Sequence, residues 1–115
     1  MMPLTIRTPE QIEAEALGAH KARVVAAIDA HVEAQAQAMD YNGAAHLASY
    51  VASGVAEWAA EAQAFVAWRD AVWLMVVEAQ ESDTAAHAPS RAEEIIRRLP
   101  RIEDFLRRQR DHRSG

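Results

Sequence analysis

The sequence predicts an all-α fold: a small antiparallel helical bundle with a long N-terminal helix, a central tryptophan-rich helix and short C-terminal helices. Three observations predict it. Alanine is abundant while the 115 residues hold only four glycines and four prolines, a composition that favours helix. Residues 55–81 read VAEWAAEAQAFVAWRDAVWLMVVEAQE, without Gly or Pro, and contain all three tryptophans. Two capping-box patterns, Thr8 to Gln11 and Ser90 to Glu93, announce helix starts. A chain of this length forms one domain and buries about two thirds of its unfolded surface. The expected organisation is an N-terminal arm over 1–8, a helical domain over 9–106 and a basic tail over 107–115.

The elements follow in order. Leu4-Thr5-Ile6 has a short alternation and no strand to pair with, so it reads as an extended arm. Thr8 can cap, Pro9 suits the first helical position and Gln11 closes the capping box. The helix that follows meets no breaker except Gly18 until about Met39. Its apolar positions include Ile12, Leu17, Val24, Val25, Ile28, Val32 and Met39, at spacings that bury one face. Gly18 costs about 1 kcal/mol against Ala and could bend or break this helix. Asp40-Tyr41-Asn42-Gly43 is a turn signal. A short helix over 43–52 then presents Leu47, Tyr50 and Val51, and Ser53-Gly54 ends it.

In the central stretch Trp58, Phe65 and Val72 recur every seven residues, with Ala62, Arg69 and Val76 four after each. This is an amphipathic stripe, widened by Trp68, Leu74 and Met75 and then by Trp73 and Val77. Trp58, Phe65, Val72 and Val76 are expected to be buried against Val24, Ile28 and Val32. A loop is expected over 82–89. A short helix from Ser90 runs through Ile95, Ile96 and Leu99 to Pro100. One more, carrying Ile102, Phe105 and Leu106, is expected to fray into RRQRDHRSG.

Charge is unevenly distributed. Residues 1–90 carry four basic and twelve acidic side chains, and residues 91–115 carry eight arginines against five acids. The acidic body disfavours nucleic acid as a partner. The basic tail suits an acidic partner or the acidic body of a second copy. With the apolar Leu4 and Ile6 of the arm, and a central helix apolar on more than one side, this points to partner docking or a homo-oligomer. The chain has no cysteine, so disulfides and thiolate chemistry are excluded. It has no apolar run long enough for a membrane span, and MMPLTIRTPE lacks the basic start and apolar core of a signal peptide.

The residues point to no catalysis. The histidines at 20, 31, 46, 87 and 112 include no pair four apart, the helical metal-ligand spacing. There is no Gly-rich phosphate loop and no nucleophile constellation. Glu57 and Glu61 are one turn apart, but paired carboxylates need a cleft and shifted pKa values to do acid–base work. No catalytic, metal or cofactor residue is therefore expected. Arg69 departs from pattern because it falls in line with the apolar stripe. It could stack on an indole and reach Glu61, Asp70, or an acid of the first helix such as Asp29 or Glu33. Trp58, Phe65, Trp68, Arg69, Trp73, Tyr41 and Tyr50 are the candidates for structural or interface roles.

The stretches IDAHVEAQAQAMDYNGAAHLASYVAS, EAQAFVAWRDAVWLMVVEAQ and PSRAEEIIRRLP resemble a family of small helical proteins encoded among the tail and tail-fibre genes of tailed bacteriophages. The likeness covers about residues 24–100. It is carried by Ile28-Asp29-Ala30, Tyr41-Asn42, Ser49-Tyr50, Glu61, Trp68 to Trp73, Pro89-Ser90, Glu93-Glu94 and Leu99-Pro100. Two positions depart from the pattern: Asp40 stands where the family has Gly, and Asn42 where it has Asp. The tail after Pro100 is also longer and more basic. The resemblance implies a tail-associated structural or adaptor protein that works through contacts with other tail or fibre proteins. Such a protein is assembled in the bacterial cytoplasm and resides in the virion. A non-virion assembly factor for the fibre is the alternative. The resemblance implies no enzymatic activity.

Overall fold

The computed structural model describes residues 6–81 and 91–114. All secondary structure among them is helical: α1 (Pro9–Ala38), α2 (Ala44–Ala48), α3 (Ala56–Glu81), α4 (Arg91–Arg98) and α5 (Ile102–Ser114). Leu4, the Ser90 cap and the loop expected over 82–89 lie outside the described residues.

Helix α1 starts where its capping box dictates. Thr8 Oγ1 accepts from Gln11 N at 3.1 Å, and Gln11 Oε1 accepts from Thr8 N at 2.8 Å. Two orphan amides of the first turn are thus satisfied. The helix runs unbroken through Gly18. Its buried residues begin only at His20 and continue through Val24, Ile28, Val32 and Ala36. The first eleven residues therefore project as an arm, and the molecule measures 69 × 30 × 18 Å. Ile12 and Val25, expected on the buried face, are exposed. Ile12 belongs to the arm, and Val25 lies on the flank of the Val24–Ile28–Val32 line.

Helix α1 ends in a Schellman motif. Tyr41 N donates to Ala36 O at 3.2 Å and Asp40 N to Gln37 O at 3.0 Å. Asp40 takes the left-handed conformation this motif requires, with φ 70°. Glycine serves that position at no steric cost, whereas an L side chain there is strained.

Helices α1 and α3 are antiparallel. Gln80 Nε2 donates to Lys21 O at 3.2 Å, the His31 and Trp68 rings are 5.9 Å apart, and Tyr41 Oη donates to Glu61 at 3.1 Å. As the number on α1 rises, its partner's number on α3 falls. Helix α5 returns along α3, and α4 packs on α1. The core gathers Val24, Ile28, Val32, Leu47, Phe65, Trp68, Val72, Val76, Ile95 and Ile102, all buried. Pro100 separates α4 from α5, as its missing N–H requires. Helix α5 does not fray after Leu106 but continues to Ser114. Helix α2 is shorter than expected and leaves Val51 exposed.

On α3 the expected core is found with Trp58 as its correction, while Leu74 and Val77, expected to widen the stripe, face outward and are exposed. Phe65, Val72 and Val76 are buried, but Trp58 is 47% exposed. It sits in the first turn of α3, where the Tyr50 ring meets it edge-on at 5.6 Å. Replacing Phe65 by Ala is therefore expected to cost about 3–5 kcal/mol. Trp58→Ala should cost about 1–2 kcal/mol, because only half of that side chain leaves water. Urea unfolding of the two variants checks the contrast. Asp40→Gly is expected to stabilise the fold by about 0.5–1 kcal/mol by relieving the left-handed strain, read as a rise in denaturation midpoint at unchanged slope.

Candidate functional site

One end of the bundle concentrates the aromatic and polar side chains that are not spent on the core. The C-terminus of α1, all of α2 and the first turns of α3 meet there, with the far end of α5 alongside. The Schellman turn swings Tyr41 back over the bundle, so its hydroxyl donates to Glu61 across 20 residues of sequence. From Tyr41 a chain of rings runs outward. Tyr41 to His46 is 5.6 Å, His46 to Tyr50 is 5.3 Å, and Tyr50 to Trp58 is 5.6 Å. All three pairs are near edge-to-face, the geometry that ring quadrupoles favour. The chain ends at the half-exposed Trp58, beside exposed Val51 and Val55.

Hydrogen bonds fix this arrangement. His46 Nδ1 accepts from Asn42 N at 3.0 Å, and its Nε2 lies 3.3 Å from the Tyr50 hydroxyl. Glu33 reaches over from α1 and accepts from Ala44 N at 3.0 Å. It thereby caps α2 from another helix. Gly43 leaves room for this cap: a Cβ there would lie 1.7 Å from the Glu33 carboxylate oxygen, and Glu33 would have to shift away from Ala44 N. The backbone at Gly43 is extended, so conformational freedom is not the reason.

Beside the aromatic chain an open groove of about 800 Å³ runs between α3 and α5. Met39, Ala60 and Leu106 give it apolar walls, and Glu57, Glu61, Glu103, Gln109 and Arg110 supply its polar groups. It can take apolar side chains of a docked segment and offer carboxylates to cationic groups at its edge. Partial burial, the hydrogen bond to Glu61 and the charge of that carboxylate together push the Tyr41 hydroxyl up to about 12. At neutral pH it is a fixed hydrogen-bond donor. Among the described residues, no group of three or more His, Asp or Glu is placed to hold a metal ion, and no helix is long and apolar enough to cross a membrane.

The sequence-derived candidates divide into three groups. Phe65 and Trp68 are buried and serve the core. Trp73 is half-buried at the core's edge. Tyr41, Tyr50 and Trp58 come together at the aromatic end. Arg69 does not form the fork to Asp29 or Glu33 and does not stack on an indole. Its guanidinium lies 3.6 Å from the adjacent Asp70, with a third of the side chain exposed. The stripe centres on Trp68 instead, and Arg69 sits one residue round the helix. The structure adds Gly43 and His46 to the site, and it gives Glu33 a capping role in place of a pairing with Arg69. The signal for His46 is its spacing, four residues after Asn42 and four before Tyr50.

No family model, no curated protein and no solved structure matches this chain.

The Tyr41 ionisation yields a test. Its folded-state value lies above the usual 10.0, so the stability it contributes is fully present below pH 10 and is lost as pH rises towards 12. The chain has two tyrosines, so an ultraviolet titration reads them directly. The upper step should disappear in Tyr41→Phe and move down in Glu61→Gln.

Proposed function

We propose that this chain is a tail-associated structural or adaptor protein of a bacteriophage or prophage, and that the aromatic end with its adjoining groove is its docking surface. The observation that carries the docking surface is the half-exposed Trp58, backed by Tyr50 and flanked by exposed Val51 and Val55. A tryptophan held on a firm base with acidic residues nearby has the character of an interface anchor. A surface role for such a ring is consistent with its small share in the core. The resemblance of the chain to small phage tail-region proteins supports the setting. Its most specific element, residues 68–73, contributes Trp68 and Val72 to the core, so the likeness speaks first to the architecture.

The groove's carboxylates favour a partner segment with apolar and basic side chains. Mass spectrometry of purified particles from the strain that carries the gene tests the setting. The chain is expected in the particles in constant ratio to tail proteins. Absence from particles, with presence in isolated fibre intermediates, would assign it as an assembly factor instead. Absence from both would remove the phage reading. Trp58→Ala should lower its recovery in particles about tenfold or more, as loss of an anchor worth about 2 kcal/mol predicts, while the purified variant stays folded.

A further inference from the structure

We infer that Asn42 is a site of spontaneous deamidation in the native protein, through attack of the Gly43 backbone nitrogen on its side chain. Asn42 is the chain's single asparagine, and glycine follows it. The residue is exposed, and among the described residues its carboxamide group has no hydrogen-bond partner. The Gly43 N–H likewise has no acceptor. Neither reacting group therefore has a hydrogen bond of its own to give up. Gly43 itself is buried under the Glu33 side chain, and exposing it requires that side chain to swing away and release its one hydrogen bond, from Ala44 N. The main-chain groups around the pair are held elsewhere. Asn42 N donates to His46 Nδ1 at 3.0 Å, Asn42 O accepts from Gln37 Nε2 at 3.4 Å, and Gly43 O accepts from Leu47 N at 3.0 Å. Glycine offers no Cβ to shield its nitrogen.

In the reaction the Gly43 nitrogen loses its proton to water or buffer and forms a bond to Cγ of Asn42. The carboxamide nitrogen takes up a proton from water or buffer, its bond to Cγ breaks and it leaves as ammonia, so that a five-membered succinimide remains. Water then opens the ring at one of its two carbonyls. Opening at Cγ cleaves the bond between Cγ and the Gly43 nitrogen and gives ordinary aspartate at position 42. Cleavage of the bond between the main-chain carbonyl and that nitrogen gives isoaspartate, whose backbone runs through the former side chain. No oxidant or reductant is involved. Either product adds a carboxylate beside Asp40. Isoaspartate also lengthens the chain by one methylene immediately before Gly43. That displaces Ala44 from the Glu33 oxygen that caps α2, and α2 supports the Tyr41–His46–Tyr50 cluster.

The test uses the full chain incubated in mildly alkaline buffer, followed by peptide mapping with isoaspartate detection. Residue 42 is expected to convert from an amide to acids. Its rate should lie within about tenfold of the rate in the urea-unfolded chain, since only the Glu33 side chain and its one hydrogen bond to Ala44 N must give way first. Isoaspartate-containing protein should melt below the Asn42→Asp variant, which carries the charge without the backbone insertion. Asn42→Gln should stay unmodified. A native rate a hundredfold or more below the unfolded rate would overturn the proposal, because it would mean that the fold shields the pair. The readout is confined to residue 42 and is independent of the tail assignment.

Discussion

Trp68 is the contact on which the rest of the bundle depends. Its indole Nε1–H donates to Pro100 O at 2.8 Å. Its ring lies 5.8 Å from Phe65 and 5.9 Å from His31. One side chain on α3 therefore touches α1 and the turn that joins α4 to α5. A buried indole without a partner for its N–H would carry a desolvation cost of about 1–3 kcal/mol. The Pro100 carbonyl meets that need, and the interaction determines where the chain reverses after α4. Pro100 prevents α4 from continuing, Trp68 holds the resulting turn, and α5 is thereby aimed back along α3. The tryptophan supplies both a large apolar surface and a positional constraint.

A second bracket, polar in character, closes the far end. Glu33 and Tyr41 come from the end of α1, and each crosses to another element: Glu33 to the first turn of α2, Tyr41 to Glu61 on α3. The five-residue α2 is too short to persist as an isolated helix. It persists because Leu47 is buried beneath it and a carboxylate from α1 caps it. The basic C-terminal segment also finds part of its electrostatic match within the chain. Helix α5 lies along α3, and Arg110 lines the same groove as Glu57 and Glu61. The charge asymmetry between the two parts of the sequence is thus partly an intramolecular complement.

Much of this is legible in the residues, for definite reasons. Thr8 and Gln11 state their roles locally, because a capping box needs only a few neighbouring residues. The core line Val24–Ile28–Val32 and the buried Phe65, Val72 and Val76 follow from helical spacing alone. Trp58 and Arg69 depart from expectation for a related reason. A strict seven-residue repeat drifts by about 20° per heptad on a straight helix, so a stripe drawn through 58, 65, 69 and 72 need not follow the surface that neighbouring helices cover. Alanine hides the true line. Ala60, Ala62 and Ala64 are buried, yet in a chain this rich in alanine they look no different from exposed ones. The aromatic end is not legible in advance, because it depends on where α1 stops. The left-handed Asp40 brings Tyr41 over α3, and a turn signal alone does not specify that direction.

The projecting arm follows from the same helix physics. An isolated segment of about eleven residues is a marginal helix in water, because nucleation is unfavourable and few hydrogen bonds repay it. The arm is not isolated. It continues a helix whose later turns are buried from His20 onward, so its residues extend an existing nucleus and each adds a hydrogen bond. The Thr8–Gln11 box satisfies amides at the exposed start, and Arg7 pairs with Glu15 along the surface. Exposed pairs of this kind contribute about 0–1 kcal/mol, which is enough for a segment that needs no nucleation. The interior from His20 onward thus supports secondary structure well beyond the volume it fills, and a chain of 115 residues reaches 69 Å.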